Sequence, residues 1–249
     1  MTAEYFDQWY ADMAGSGDRS ELKRRHLGLP PELESTSLLT FGALQEIRDR
    51  LDLSPADVLL DLACGRGGYG LWLARETGCR LIGVDFSAVA LQQARETARS
   101  LGQSARTEFR VGDLVATGLA DGSVDAVICI DAIQFASDLA TAAAEIRRVL
   151  APGQPVIATC WEPLNPDDSL LSERLRSVDL SRQLPAGGLV DVVVVERADW
   201  RSAEHALWTE AAALEPGDDR ALQSLHAEAL RVLPTLDRIR RVFATAQAP

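Results

Sequence analysis

From about residue 56 to residue 161, short runs of near-continuous apolar residues alternate with helix-length segments whose apolar positions recur at helical spacing. Runs of this kind suit strands covered by helices on both faces, so the alternation predicts βαβ units in an open parallel sheet. Five strands are expected, in DVLLDLA from Asp57, RLIGVDF from Arg80, EFRVGDL from Glu108, DAVICID from Asp125 and PVIATCW from Pro155. Helical segments such as AVALQQARETARSLG, from Ala88, lie between them, and Gly102 supplies a stop. Past Trp161 the alternation breaks. A sixth strand is expected in VDVVVVER from Val190, then a mostly helical stretch from about Ala198 to Arg240, and RVFATAQ returns from Arg241 as a short final strand.

Residues 1–54 fall outside the sheet pattern. Tyr5, Phe6, Trp9, Tyr10 and Met13 share one helical face, which reads as a helical cap over the carboxyl edge of the sheet. Residues 15–37 mix Gly, Pro and charge and read as a connecting loop with a short helix. A length of 249 residues with 47% apolar content suits one large α/β domain. The expected division is a single domain over 1–249: an N-terminal cap (1–54), a core (55–161) and a C-terminal half (162–249) with a helical insertion at about 198–240.

Composition narrows the partners. A formal charge of −12 with no basic stripe opposes nucleic acid and anionic membrane surfaces. Lys23 is the single lysine among 25 Lys and Arg residues, which reads as coding bias. Cys64, Cys79, Cys129 and Cys160 show neither C-x-x-C spacing nor nearby histidines, so reduced buried thiols are expected and no metal site. The opening MTAEYFDQWYADM lacks the basic start and apolar run of a signal peptide, and no apolar stretch reaches the ~20 residues of a membrane span. A cytoplasmic location is expected.

Ligands of open α/β sheets bind beyond the carboxyl ends of the strands, and four of those ends carry aspartate: Asp61, Asp85, Asp113 and Asp131. After the first strand, Gly65, Gly67 and Gly70 spell G-x-G-x-x-G, the fingerprint of a dinucleotide-binding turn, and Asp85 stands 20 residues beyond Gly65, where it would reach ribose hydroxyls. A nicotinamide-dependent oxidoreductase therefore stays open. Asp61 argues against it, because a carboxylate beside a pyrophosphate in a partly dehydrated crevice would repel by several kcal/mol at an effective dielectric of about 20. An adenosine ligand with a cationic tail fits better.

S-Adenosylmethionine is such a ligand. The stretch DLACGRGG resembles motif I of class I S-adenosylmethionine-dependent methyltransferases, D-x-[GA]-x-G-x-G, and GVDFS, GDL and RRVLAPGQPV follow in order. The resemblance covers roughly residues 35–161. It implies a Rossmann-like, seven-stranded, mostly parallel α/β sheet whose last strand is antiparallel. It also implies S-adenosylmethionine as cofactor and S-adenosylhomocysteine as product. Ala63, Gly65 and Gly67 would let the backbone approach the methionyl portion, while Asp85 would accept from both ribose hydroxyls and Phe86 would lie against adenine. Asp113 would accept from the adenine amino group, the Leu114 amide would bond a ring nitrogen, and the carbonyl near Ile130 would receive the ammonium. Phosphobase methyltransferases place small hydroxyl residues about two dozen positions before motif I, where Ser37 stands with Thr36 beside it.

The acceptor is less defined. Related enzymes present a histidine after the fourth strand, where this chain has Gln134 and Phe135, so the candidate bases are Glu162, His26 and His205. Asp131 reads equally as a site residue or a helix N-cap, and Ser37 as a ligand or an N-cap. Gln134, Phe135 and Trp161 are the expected substrate contacts, and the cap with the insertion suggests a small-molecule acceptor at O, N or C, in natural-product tailoring. A related protein that binds the cofactor but catalyses a cyclisation or rearrangement is the alternative.

Overall fold

The computed structural model describes residues 3–13, 17–34 and 36–249. Seven strands form: β1 (Val58–Leu62), β2 (Arg80–Asp85), β3 (Thr107–Val111), β4 (Ala126–Ile130), β5 (Pro155–Pro163), β6 (Val190–Glu196) and β7 (Ile239–Gln247). They make one sheet in the order β3-β2-β1-β4-β5-β7-β6. The first five run parallel, and β7 is antiparallel to both β5 and β6. The expected antiparallel last strand is therefore interior to the sheet.

Strand periodicity sorts the side chains onto two faces. Leu59, Ile128 and Ile130 join the cluster formed with α3 (Phe41–Leu51), α4 (Gly68–Thr77), α5 (Ala88–Ser100), α9 (Ala198–Ala212) and α10 (Arg220–Val232). Leu60, Leu62, Val127 and Cys129 join the other, with α6 (Leu139–Val149) and α8 (Leu180–Ala186). Each fully buried aliphatic side chain contributes about 1.5–3 kcal/mol, so the sheet core outweighs any single polar contact in the fold. Asp61 shares the phase of Leu59, which turns a carboxylate into the layer that holds α4. Side chains of Thr40, Ser87, Asp138 and Asp219 accept from the first turns of α3, α5, α6 and α10, fixing where those helices begin.

The connections depart from the expected pattern in two places. Among the described residues no helix joins β3 to β4; residues 112–125 instead form turns, with an isolated bridge between Asp113 and Ala116, and Thr117 donates to Glu145 of α6. Between β5 and β6 stand two short helices, α7 (Glu173–Arg176) and α8, that the hydrophobic pattern does not announce. At the N-terminus, α1 (Ala3–Met13) is followed by α2 (Gly17–Leu27), so the short helix expected within the loop takes up 11 of its 23 residues. The shared face of α1 is narrower than the sequence suggests: Tyr10 and Met13 are buried, whereas Tyr5 is 51% exposed. No helix among the described residues is long and apolar enough to cross a membrane.

Candidate active site

The chain turns sharply after β1. Ala63, Gly65 and Gly67 all adopt positive φ, at 60°, 53° and 77°. A Cβ on Gly65 would lie 2.6 Å from the Tyr10 hydroxyl, and one on Gly70 would lie 2.5 Å from Asp61 Oδ2. With no side chain there, the Gly70 N–H donates to Asp61 Oδ2 at 3.2 Å. The third glycine of the fingerprint thus makes room for a carboxylate under the first turn of α4. The G-x-G-x-x-G spacing is accounted for without a pyrophosphate.

Two carboxylates flank this loop. Asp85, at the end of β2, accepts from the Gly65 N–H at 2.8 Å and the Ser87 N–H at 2.9 Å. Burial raises its pKa, and those backbone donors oppose the rise. Asp61 is only 4% exposed, and burial pushes its pKa up to about 7, with the Gly70 N–H opposing and Asp85 adding to the rise. Beside Asp61 opens a small cleft whose walls include Thr36, Ser37, Asp61, Ala63, Gly65 and Ile130. Arg66, paired with Glu34 at 2.8 Å, also lines it.

Helix α1 lies against the same edge. Asp7 Oδ1 accepts from the Ser87 hydroxyl at 2.5 Å and the Val89 N–H at 3.3 Å, and the Gln93 amide donates to the Tyr10 carbonyl at 3.2 Å. Phe6 meets Phe86 and Phe135 edge-on, with centroids 5.2 and 5.8 Å away. The Tyr10 hydroxyl bonds the Thr36 side chain, and burial holds that phenol well above the usual tyrosine range.

At the end of β4, Asp131 sits in the left-handed region at φ 55°. Its carboxylate is fully committed. Oδ1 accepts from Arg241 and from the Thr159 hydroxyl, each at 2.7 Å, and Oδ2 accepts from the Leu38 N–H at 3.0 Å. Arg241, buried on β7, also donates to Glu204 of α9 at 3.3 Å and stacks 4.1 Å from the centre of the Trp161 ring. Glu204 in turn accepts from the indole N–H groups of Trp161 (2.9 Å) and Trp208 (3.3 Å). Burial raises the Glu204 pKa, and Arg241 works against that rise.

The structure brings together Ser37, Asp61, Ala63, Gly65 and Ile130 around the cleft, with Asp85 and Phe86 beside the same loop. Gly67 holds the left-handed position that starts α4. Asp113 is exposed and accepts from the Val115 N–H within its own turn, and Leu114 is buried in the core. Gln134 is buried and donates to the Asp131 carbonyl at 2.8 Å, while Phe135 is partly exposed with the Arg174 guanidinium 4.3 Å above its ring. The three candidate bases do not converge. Glu162 is buried, accepting from the Leu180 N–H and from Arg240, each at 2.8 Å. His26 meets Glu210 at 2.7 Å between α2 and α9, and His205 bonds Thr209 on the exposed side of α9. Sequence reasoning did not single out Glu204 or Arg241, although a Glu midway between Trp200 and Trp208 on one helical stripe was the available signal.

Residues 59–153 match a family model described as a methyltransferase domain. Together with the strand order and the glycine loop, this match marks the stretch from β1 to α6 as similar to a methyltransferase domain. A relative from Streptomyces halstedii, methyltransferase GfsG, is 35% identical over 51% of this chain and 47% of its own length. A probable chloroplastic tocopherol O-methyltransferase from Oryza sativa subsp. japonica is 26% identical over 69% of this chain and 48% of its own length. The chain therefore spans about half the length of these curated relatives. The [4+2]-cyclase SpnF superposes with a TM-score of 0.72 at 23% identity, covering 100% of this chain and 96% of that one, which shows a shared fold.

Proposed function

We propose that the chain transfers a methyl group from S-adenosylmethionine to a small-molecule acceptor, with the methionyl end of the cofactor in the cleft over Asp61 and its adenosine beside Asp85 and Phe86. The observation that carries this reading is the buried carboxylate Asp61 lining the cleft beside Asp85. A ligand bearing ammonium and sulfonium would compensate both acids. A pyrophosphate would add to the repulsion.

When bound, the cofactor supplies an already activated methyl group, so the chain's task is placement and exclusion of water. Asp61 would hold the cationic portion, Asp85 would accept from the ribose, and Phe86 would carry the adenine face. Ser37 and the Ile130 carbonyl would bind at the amino-acid end. The Phe6, Phe86 and Phe135 rings give the neighbouring edge an apolar surface that would keep water from the transfer. The region 1–54 serves as a cap and 162–249 as the acceptor side, an assignment supported by the tie from Trp161 on β5 to Glu204 on the inserted α9. With Glu162, His26 and His205 engaged away from the cleft, the acceptor best served by positioning alone is a neutral amine, a carbon nucleophile or an ionised phenol. Four free cysteines support a reducing, cytoplasmic setting, and the charge of −12 argues against nucleic-acid partners.

The test is calorimetry with S-adenosylmethionine and NAD(P), followed by incubation with labelled S-adenosylmethionine and a metabolite library. Micromolar affinity for the former and label transferred to a small product are expected. Affinity for NAD(P) with none for S-adenosylmethionine would overturn the assignment.

A further inference from the structure

Every strongly basic residue but one is arginine, and the exception, Lys23 on α2, is 3% exposed. Its ammonium donates to two successive backbone carbonyls, Thr36 at 2.5 Å and Ser37 at 3.1 Å. The same segment is held from the other side. Asp131 Oδ2 accepts from the Leu38 N–H at 3.0 Å, and the Ser37 hydroxyl donates to the Ile130 carbonyl at 3.4 Å. Residues 36–38 belong to no helix or strand, so no backbone ladder fixes them. These side-chain ties help to place them, together with the bond between the Tyr10 hydroxyl and the Thr36 side chain, and Thr36 and Ser37 form part of the cleft wall that also includes Asp61 and Gly65.

The chemistry of the amine suits that task. A compact ammonium directs three donors tetrahedrally and can serve two adjacent carbonyls in a closed space, whereas a guanidinium spreads its donors in a plane on a wider head. A buried ammonium is tolerated only where hydrogen bonds and opposite charge compensate it. Here burial pulls the amine's pKa well below the usual lysine range, Arg19 and Arg66 add to that fall, and Glu228 and Asp131 oppose it. The site therefore retains a costly group at a position whose direct product is the geometry of the cleft wall.

We propose that Lys23 is a positioning residue for cofactor binding: by drawing the Thr36 and Ser37 carbonyls toward α2, it sets the wall that meets the methionyl end. The inference rests on the cofactor placement proposed above. It assigns Lys23 no contact with the adenosine end, which lies by Asp85 and Phe86.

Two ligands separate that role from a merely structural one. S-Adenosylhomocysteine carries both ends, and 5′-methylthioadenosine lacks the amino-acid end. Calorimetry on the whole chain with Lys23→Met is expected to show affinity for S-adenosylhomocysteine reduced tenfold or more, with affinity for 5′-methylthioadenosine within threefold of the unsubstituted protein. Lys23→Gln, which keeps a donor without the charge, should fall between the two. Equal losses for both ligands, or no loss for S-adenosylhomocysteine, would overturn the role, and so would the failure of both variants to fold. Absence of S-adenosylhomocysteine binding by the unsubstituted protein is a different failure, striking the cofactor placement itself and the role of Lys23 with it.

Discussion

Asp61 connects a side-chain environment to measurable behaviour. Its carboxyl is shifted from 3.8 to about 7 in the folded chain, so between those values the fold retains a proton that the unfolded chain releases. Stability from this group is therefore greatest at low pH and lost as pH rises, with the full penalty present above about 7. Asp61→Asn removes the penalty while keeping an acceptor for the Gly70 N–H. It is expected to raise Tm at pH 7.5 by at least ~2–4 °C, the equivalent of ~1 kcal/mol for a domain of this size, with the gap narrowing toward pH 5. The same variant should bind S-adenosylmethionine at least about tenfold more weakly, or ~1.4 kcal/mol. A less stable variant with intact affinity would contradict both statements. Asp85→Ala should cost ~2–4 kcal/mol of cofactor affinity, through lost ribose hydrogen bonds and a loosened Gly65 and Ser87 backbone, as read by calorimetry. Both aspartates were legible in the sequence because strand ends are where ligands of such sheets bind. Lys23 was legible only as a compositional oddity, since its partners Thr36 and Ser37 are brought to it by tertiary packing.

At the scale of elements, α1 is held by a few named contacts. The Asp7 carboxylate ties it to the start of α5 through Ser87 and Val89, and Phe6 ties it to Phe86 and Phe135. Charge-assisted hydrogen bonds of this kind contribute ~1.5–3 kcal/mol each. Asp7→Ala should therefore accelerate amide exchange over residues 3–13 by about tenfold or more, with exchange in β1 and β4 unchanged. Unchanged protection of α1 would show that Phe6 and Tyr10 suffice to hold it. The strands were readable because each is a near-continuous apolar run bounded by turn residues. The short helices α7 and α8 were not, because four and seven residues hold too little of a helical period to register. The missing helix between β3 and β4 has a similar cause: the segment 112–125 is rich in glycine and polar residues, and its turns are pinned from outside by Glu145.

Across the whole molecule, the insertion and the sheet are joined by the buried group Asp131, Arg241 and Glu204. Removing the cation strands two carboxylates in the core, so Arg241→Met should cost ~3–5 kcal/mol in denaturant unfolding. Adding Glu204→Gln to that variant should recover part of the loss, because one of the two stranded charges is gone. A single variant within 1 kcal/mol of the parent would show that water or rearrangement relieves the acids. The antiparallel last strand was foreseeable from the family resemblance, but this ion group was not, since its members lie just past β4, on α9 and on β7 and meet only when the sheet closes.

That closure has a consequence for biosynthesis. Because β7 lies between β5 and β6 yet follows both in the chain, a ribosome releases β6 before the strand that will attach it to the rest of the sheet exists. Until β7 emerges, β5 and β6 each present an open edge, with Val193 and Val195 of β6 uncovered even in the finished fold. The nascent chain therefore carries its greatest risk of mispairing in the interval between the release of β6 and the release of β7, which is when a chaperone would be needed most. A break in the sheet at β7 would leave β6 with no neighbour to pair with.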